Sequence, residues 1–333
     1  MRILKENDYK TFEKIAMLSQ DSLKSVMTNY LKGKYKEVVS TKEYVYAKGD
    51  IPIGLVAHLD TVFSKPPVDI FYDTRKNVMW SPEGLGADDR AGVFAIIKIL
   101  QSGLRPNIIL TTDEEIGGIG ASELAKLECP FEDLRYLIQL DRRGTNDCVF
   151  YDCDNGDFVE YVEQFGFIES WGSFSDISVL CPSWGVAGVN LSVGYRNEHS
   201  TEELLYISPL LSTIDKVKKM LSEKDIPSFV YIPTPYSFRN WNWRTGYDYG
   251  AGNSYLYAKC PCCGKNFAME ELVPVTMLDG SIIYVCSDCV LDPINNIEFC
   301  DSCYEAFEYA DEDGWIPAFC PKCRNKAIAK GAI

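Results

Sequence analysis

Three short apolar segments of this chain end on residues that bind metals or move protons, and this arrangement most constrains the fold. The segments are residues 51–57, 108–112 and 137–140, and the polar residues that follow them are His58, Glu114, Glu115 and Asp141. Short apolar runs of this kind are typical of buried strands in a parallel sheet. Parallel strands end at one edge of a sheet, where open α/β proteins carry their functional crevice. We therefore expect these side chains to lie together.

The chain has only two histidines, His58 and His199, and both lie in sequences rich in carboxylates. His58 is followed by Asp60, and Asp88 lies in a third acidic segment. Most charged runs are solvent-exposed faces, and 48 acidic residues produce some pairs by chance. Position at strand ends distinguishes these residues from such runs. Imidazole and carboxylate together are a donor set that zinc accepts, so we predict a zinc-binding cluster.

Helical and strand patterns alternate along the first two thirds of the chain. Helical spacing occurs in residues 9–18, 23–31, 91–100, 121–127 and 202–221, and further strand patterns occur in residues 36–39 and 44–46. This alternation favours an α/β fold with a mixed, largely parallel sheet flanked by helices. A small Cys-rich zinc-binding domain is expected to follow it.

Eight of the thirteen cysteines form four Cys-x-x-Cys pairs near the end of the chain. The pairs are Cys260/Cys263, Cys286/Cys289, Cys300/Cys303 and Cys320/Cys323. Two such pairs complete a four-Cys structural zinc site, so the eight thiols predict two zinc ions. Consecutive pairs would give two zinc ribbons in series, and alternate pairs would give an interleaved arrangement. Residues 272–285 read as a hairpin that turns at Asp279-Gly280.

Composition divides the chain into three parts. Residues 1–225 form the predicted catalytic domain, residues 226–258 an aromatic and Pro-rich linker, and residues 259–333 a zinc-ribbon-like domain. The length of 333 residues and the apolar fraction of 46% are ordinary for a globular protein of two domains. The sequence has no long apolar stretch and no secretory apolar segment at its start, so we expect a cytoplasmic protein without a membrane span.

The net charge of −15 argues against nucleic acid or an anionic membrane as a partner, because both require clustered Lys and Arg. Zinc ribbons often bind nucleic acid, but residues 260–333 contain twelve Asp and Glu against five Lys and Arg. A protein partner for this acidic tail is therefore the expectation. Both histidines belong to the predicted metal cluster, so the sequence also argues against a Ser-His-Asp triad.

Five motifs occur in a characteristic order: His58-Leu-Asp60, Gly86-Ala-Asp-Asp-Arg-Ala-Gly92, Thr112-Asp-Glu-Glu-Ile-Gly-Gly118, Leu140-Asp141 and Glu198-His199. This set resembles the co-catalytic zinc peptidases, the superfamily of peptidase T, carboxypeptidase G, the zinc aminopeptidases and their deacylase relatives. The resemblance covers roughly residues 50–210 and excludes the Cys-rich tail. Arg90 replaces the commoner lysine, and the interval from Asp141 to His199 is too short for the large domain that some members insert there.

The resemblance implies a role for each motif residue. Asp88 bridges two zinc ions, His58 and Asp141 complete the first site, and Glu115 and His199 complete the second. Asp60 accepts the far N–H of His58 and fixes its tautomer. Glu114 is the general base. The resemblance also implies a cis peptide bond between Asp88 and Asp89.

We predict from this resemblance an aminopeptidase that acts on short peptides, with two catalytic zinc ions, for which cobalt or manganese could substitute. A deacylase or amidase of N-acyl amino acids would use the same ligands and stays an alternative. A second alternative is a zinc-ribbon interaction module with a degenerate peptidase domain. Among residues that could contact a substrate, Arg196 is our candidate, because an arginine near the metals could bind a substrate carboxylate.

Overall fold

The computed structural model describes residues 3–233, 257–268, 272–277, 282–290, 297–299 and 306–308. The chain divides into two compact units, Met1–Asp248 and Tyr249–Ile333. Cys300, Cys303, Cys320 and Cys323 lie outside the described residues, as does the predicted turn at Asp279-Gly280.

The described part of the first unit contains seven helices and twelve strands. The helices are α1 (Glu6–Ala16), α2 (Gln20–Lys32), α3 (Ala87–Gln101), α4 (Ile119–Leu124), α5 (Gly156–Glu163), α6 (Ile177–Trp184) and α7 (Ile207–Leu221). The strands are β1 (Val38–Ser40), β2 (Tyr44–Ala47), β3 (Ile51–His58), β4 (Phe71–Asp73), β5 (Val78–Trp80), β6 (Pro106–Thr111), β7 (Tyr136–Arg142), β8 (Asp147–Val149), β9 (Ile168–Glu169), β10 (Gly188–Ser192), β11 (Tyr195–Arg196) and β12 (Leu204–Tyr206).

Eight strands form one mixed sheet in the order β1-β2-β6-β3-β7-β10-β8-β9. The four central strands β6, β3, β7 and β10 run parallel. Strand β2 pairs antiparallel with β1 and β6, and β8 pairs antiparallel with β10 and parallel with β9. The predicted mixed α/β fold is therefore confirmed. Because β6, β3 and β7 are adjacent and parallel, their carboxyl ends meet at one edge of the sheet.

Helices cover both faces of this sheet. Along β3, Leu55 and Ala57 face the larger core while Val56 faces the smaller one, as expected from the two-residue period of a strand. The larger core holds buried residues of α1, α2, α3, α5 and α7, such as Phe12 and Phe94. The smaller core is covered by α4 and α6. Burial on both faces explains why the central strands read as continuous apolar runs.

A second, four-stranded sheet has the order β11-β12-β5-β4. The predicted helix over residues 202–221 begins too early, because its first residues form a strand of this sheet. Leu204–Tyr206 forms strand β12, which pairs antiparallel with β5, and α7 begins only at Ile207. The pairing with β5 satisfies the backbone of these residues and overrides their helical spacing.

Residues 226–233 of the predicted linker lie along the first unit. The N–H of Phe229 donates to the carbonyl of Arg135 at 3.0 Å, and the N–H of Tyr231 donates to the carbonyl of Gly185 at 3.0 Å. The ring of Phe229 contacts those of Tyr136 and Phe158. This part of the segment therefore belongs to the packed structure of the first unit.

The second unit contains β13 (Tyr257–Lys259), β14 (Asn266–Ala268), β15 (Leu272–Thr276), β16 (Ile282–Cys286), α8 (Ser287–Val290), β17 (Ile297–Phe299) and β18 (Ala306–Glu308) among its described residues. Strands β15 and β16 pair antiparallel, with Thr276 opposite Ile282, as the predicted hairpin requires. Strands β13 and β14 form a separate antiparallel pair. Within the described ranges, no helix is long and apolar enough to cross a membrane.

Candidate metal centre

The sheet edge collects the motif residues predicted from the sequence. His58 is the last residue of β3, Glu114 and Glu115 follow β6, and Asp141 is the penultimate residue of β7. Helix α3 begins at this edge and carries Asp88 in its first turn. His199 lies in the loop between β11 and β12. The chain therefore brings all the predicted ligands to one place from five separate segments.

The first group of ligands consists of His58, Asp88 and Asp141. The Nε2 atom of His58 lies 3.1 Å from Oδ1 of Asp88 and 3.5 Å from Oδ1 of Asp141. The His58 side chain is only 1% exposed. Buried carboxylates and an imidazole thus point their donor atoms at one common centre.

The second group consists of Asp88, Glu115 and His199. The Nε2 atom of His199 lies 3.0 Å from Oε2 of Glu115 and 3.3 Å from Oδ2 of Asp88. The His199 side chain is 53% exposed, so this side of the cluster opens to solvent. Asp88 belongs to both groups, and each of its two oxygens faces a different histidine.

The donor atoms have the spacing that metal ligands need. Ligand atoms around a tetrahedral zinc ion with bonds of about 2.0–2.1 Å lie roughly 3.3 Å apart. The four distances between histidine and carboxylate atoms, 3.0 to 3.5 Å, bracket this value. In addition, Oε1 of Glu115 is buried and has no hydrogen-bond partner among the described residues. Both the chemistry and the spacing of the residues fit a divalent ion in each group.

Asp60 connects the two groups. One of its oxygens, Oδ1, lies 3.1 Å from Nδ1 of His58 and accepts the backbone N–H of Glu114 at 3.1 Å. Its other oxygen accepts the backbone N–H of Glu115 at 3.0 Å. When Nδ1 of His58 carries the proton for this bond, the lone pair of Nε2 is free to bind an ion held together with Asp88 and Asp141. Asp60 therefore fixes a ligand of the first group and the loop that carries a ligand of the second.

The electrostatics of the cluster reflect an excess of buried negative charge. Burial and the charge of Asp88 raise the pKa of Asp141 to about 7. Hydrogen bonds to Asp88 and Glu115 raise the pKa of His199 to about 11. Burial lowers the pKa of His58, but Asp141, Asp60 and Asp88 outweigh it and raise this pKa well above its usual range. Without a metal cation, the cluster thus retains protons on its imidazoles.

Glu114 lies beside the cluster and, like Asp60 and Asp89, belongs to neither ligand group. Burial raises the pKa of Glu114 well above its usual range; the charges of Asp141, Asp176 and Asp88 act in the same direction, against that of His58. A carboxyl group with a raised pKa is suited to receive and release a proton near neutral pH.

The start of α3 is built around Asp88 and Asp89. The peptide bond between them is cis, as the resemblance implied. Asp89 belongs to neither ligand group and accepts the backbone N–H groups of His58 at 3.2 Å and of Gly92 at 2.8 Å. A Cβ atom at Gly92 would overlap the carbonyl oxygen of Leu140, so glycine permits α3 to approach the end of β7.

Several residues that support the ligands were not predicted from the sequence. Glu203 accepts the backbone N–H groups of Ala87 and Asp88, each at 3.0 Å, and so caps the start of α3. The hydroxyl of Tyr195 donates to Oδ1 of Asp141 at 3.1 Å, and the Gln139 amide donates to Oδ2 at 3.1 Å. A sequence signal existed for Gln139, which is a polar residue within an apolar strand.

The arginines near the site have partners within the protein. Arg196 lies over the ring of Tyr206 at 5.5 Å, and Arg143 forms an ion pair with Glu198 at 2.6 Å. Arg142 donates to the carbonyl of Trp171 at 2.8 Å. The substrate-binding role of Arg196 stays a prediction.

The second unit holds a separate group of four cysteines. Cys260, Cys263, Cys286 and Cys289 place their sulfur atoms within 4.8 Å of one another. The sulfur atoms of Cys263 and Cys286 are 3.8 Å apart, and thiolates around zinc with bonds of about 2.3 Å lie roughly 3.8 Å apart. These two pairs are consecutive in sequence, so the geometry favours the serial arrangement for this group.

Backbone donors favour the thiolate form of Cys260, whereas burial and the neighbouring thiols raise the pKa values of Cys286 and Cys289. Burial opposes ionisation of Cys260, but the backbone N–H groups of Cys286, Cys263 and Cys262 outweigh it and lower the pKa of Cys260 to about 6. The thiolate is the form of cysteine that binds metal. The four cysteines are therefore a second group that could hold an ion.

Comparison with known proteins identifies the fold. No model of a known protein family matches the sequence, and no curated protein matches it. An aminopeptidase PepT from Bacillus cereus and a tripeptidase from Staphylococcus aureus are 15% and 14% identical to this chain. Each has a TM-score of 0.51 and covers 65% of this chain and 97% of its own.

A TET aminopeptidase from a marine sediment archaeon of the Thaumarchaeota is similar to the same extent. It is 13% identical, has a TM-score of 0.51, and covers 66% of this chain and 98% of its own. At these identities the likeness establishes the fold. The fold implied by the resemblance to co-catalytic zinc peptidases is therefore confirmed.

Proposed function

We propose that residues 1–225 form a di-zinc aminopeptidase domain that removes N-terminal residues from short peptides. The observation that carries this proposal is the placement of Asp88, whose two oxygens lie 3.1 Å from Nε2 of His58 and 3.3 Å from Nε2 of His199. A carboxylate placed in this way could bind two adjacent ions, one with each ligand group. The fold, which solved aminopeptidases also have, supports the same function.

His58, Asp88 and Asp141 hold one ion in this proposal, and Asp88, Glu115 and His199 hold the other. Zinc suits both donor sets, with cobalt or manganese as alternatives. When bound, two such ions acidify a water molecule and polarise a peptide carbonyl. Three protein ligands for each ion leave room in the coordination shell for water or substrate.

Glu114 moves the proton in the reaction. It accepts a proton from the attacking water and then gives it to the nitrogen of the departing amine, so that the C–N bond breaks and Glu114 returns to its starting state. Its backbone is fixed by the bond from its N–H to Asp60 at 3.1 Å. The raised pKa of its half-buried carboxyl group favours retention of the proton between the two transfers.

Two features favour short peptides with a free amino terminus as substrates. The cluster and the chain as a whole are rich in carboxylates, with a net charge of −15, and this charge attracts an ammonium group. Between Asp141 and His199 the chain forms only short elements of the main and second sheets and the helices α5 and α6. A site without a large inserted domain is typical of compact aminopeptidases.

The second unit has a structural and interaction role in this proposal. Cys260, Cys263, Cys286 and Cys289 hold a structural zinc ion, and the four later cysteines hold another. The predicted linker, residues 226–258, begins with residues 226–233 packed on the first unit and leads to this zinc-ribbon-like domain, residues 259–333. Its acidic character favours a protein partner over nucleic acid, and we place the protein in the cytoplasm.

The test is to incubate the zinc-loaded protein with free and N-acylated short peptides and to identify the products by mass. We expect stepwise loss of N-terminal residues, which Glu114→Gln reduces by about 10²- to 10⁴-fold, the usual contribution of a general base. Glu128→Gln makes the same chemical change at an exposed position and should leave the rate unchanged. Release of acyl groups alone would instead establish a deacylase, and no cleavage of any substrate would contradict the proposal.

A further inference from the structure

The loop that carries Glu114 and Glu115 is held by side chains at three successive backbone positions. The N–H groups of residues 114 and 115 donate to Asp60. The N–H of Asp113 donates to Oε1 of Gln20 at 3.0 Å. Gln20 lies in a part of the sequence that the motifs do not include.

The contact between Gln20 and Asp113 has two points. Besides accepting the backbone N–H of Asp113, the Gln20 amide donates from Nε2 to Oδ1 of Asp113 at 2.9 Å. These partners fix the orientation of the amide, because a carboxylate only accepts and a backbone N–H only donates. Asp113 itself has a φ of 57°, in the left-handed region that Asp and Asn tolerate better than most residues.

The same N-terminal segment is attached to the site at a second point. Arg90, which follows Asp88 and Asp89, is buried and donates to two carbonyl groups. One is that of Leu59, between His58 and Asp60, and the other is that of Leu18 at 3.0 Å. Leu18 and Gln20 both lie where α1 passes into α2. This connection therefore contacts the loop of Glu114 through Gln20 and the start of α3 through Leu18.

We propose that Gln20 is a positioning residue for the proposed reaction: its two-point contact with Asp113 holds the loop that presents Glu114. This inference rests on the proposed role of Glu114 as the base. Gln20 does not touch the ligand groups, so it acts through the loop rather than on the substrate. Its loss should lower kcat more than it changes KM, because misplacement of a catalytic group weakens the transition state.

A charge exchange across the contact gives a selective test. In Gln20→Glu a carboxylate faces the carboxylate of Asp113, and we expect a fall in kcat of roughly ten- to a hundredfold. Asp113→Asn can still accept from Gln20 and should retain near wild-type activity. In the double variant, the new side-chain amide and the backbone N–H at position 113 both donate to the new carboxylate at position 20. The two-point contact then forms again, and kcat should recover.

Two controls separate positioning from other effects. Ser25→Glu adds the same charge to an exposed position of α2 and should leave kcat unchanged. Glu is also favourable at the start of a helix, so Gln20→Glu does not act by weakening α2. Metal content of each variant is measured to show that the ligand groups remain filled.

Hydrogen exchange of the amides of residues 113–115 gives a readout that does not depend on activity. We expect faster exchange in Gln20→Glu and recovery in the double variant. Exchange and kcat in Gln20→Glu equal to those of Ser25→Glu would overturn the inference, as would a double variant that does not recover. If the wild type cleaves no peptide, the proposed function fails, while the exchange pattern still decides whether Gln20 holds the loop.

Discussion

Asp60→Asn tests whether one carboxylate supports both ligand groups. The two oxygens of Asp60 serve three donors, namely Nδ1 of His58 and the backbone N–H groups of Glu114 and Glu115. Asparagine keeps one oxygen and replaces the other with a donor NH2 group. The orientation that keeps the most bonds places this oxygen at Oδ1, where it serves His58 and Glu114. The NH2 group then faces the N–H of Glu115.

The expected decrease in metal affinity follows from the loss of the hydrogen bond between Asp60 and the N–H of Glu115. A hydrogen bond to a charged group contributes about 1.5–3 kcal/mol, and two facing donors gain none of it. At about 1.4 kcal/mol for each tenfold change, metal affinity at the group with Glu115 should fall roughly 10- to 100-fold. This agrees with the usual effect of removing a hydrogen-bond partner of a metal ligand.

The assay is competition with a chelator, followed by measurement of the metal that remains on the catalytic unit. We expect Asp60→Asn to lose the ion at the Glu115 group first and at lower chelator concentration than the wild type. Asp50→Asn, at an exposed position, is the matched control. Equal retention of both ions by Asp60→Asn and Asp50→Asn would refute the reasoning.

Three further predictions concern protons, packing and the cysteines. The pKa values of His58 and His199 are raised in the metal-free protein, so metal binding near neutral pH displaces their protons. The affinity of the cluster for metal should therefore rise with pH. Calorimetry in different buffers measures the protons released on binding, and His199→Gln should reduce their number. Gly92→Ala places a Cβ atom against the carbonyl oxygen of Leu140, and denaturant unfolding should show destabilisation of about 1–3 kcal/mol. Cys263→Ser should release metal from the second unit, measured by mass spectrometry under native conditions, and leave the peptidase rate unchanged.

The sequence was sufficient to predict where the ligands meet. Three apolar runs ended on His58, Glu115 and Asp141, and parallel strands must bring such ends to one edge. The order of β6, β3 and β7 in the sheet satisfies this requirement. The alternation of helical and strand patterns along the sequence also predicted the mixed α/β fold and the helices α1, α2 and α7. The roles of the individual residues as ligands stay predictions that the geometry supports.

Other parts of the site could not be predicted because they depend on contacts between distant elements. Gln20 meets Asp113 only after α2 has packed beside the sheet. Glu203 caps α3 because β12 brings the loop after His199 to the start of that helix. The strand β12 itself was hidden in a helical pattern, and its pairing with β5 is not encoded by local spacing.

The most direct test of the account is anomalous X-ray diffraction from crystals of the zinc-loaded protein. We predict two zinc peaks at the sheet edge, about 3.5–4 Å apart as in other two-metal sites. Both should contact Asp88, one beside His58 and the other beside His199. A single ion there, or two ions that do not share Asp88, would contradict the central claim that one carboxylate joins two metal sites.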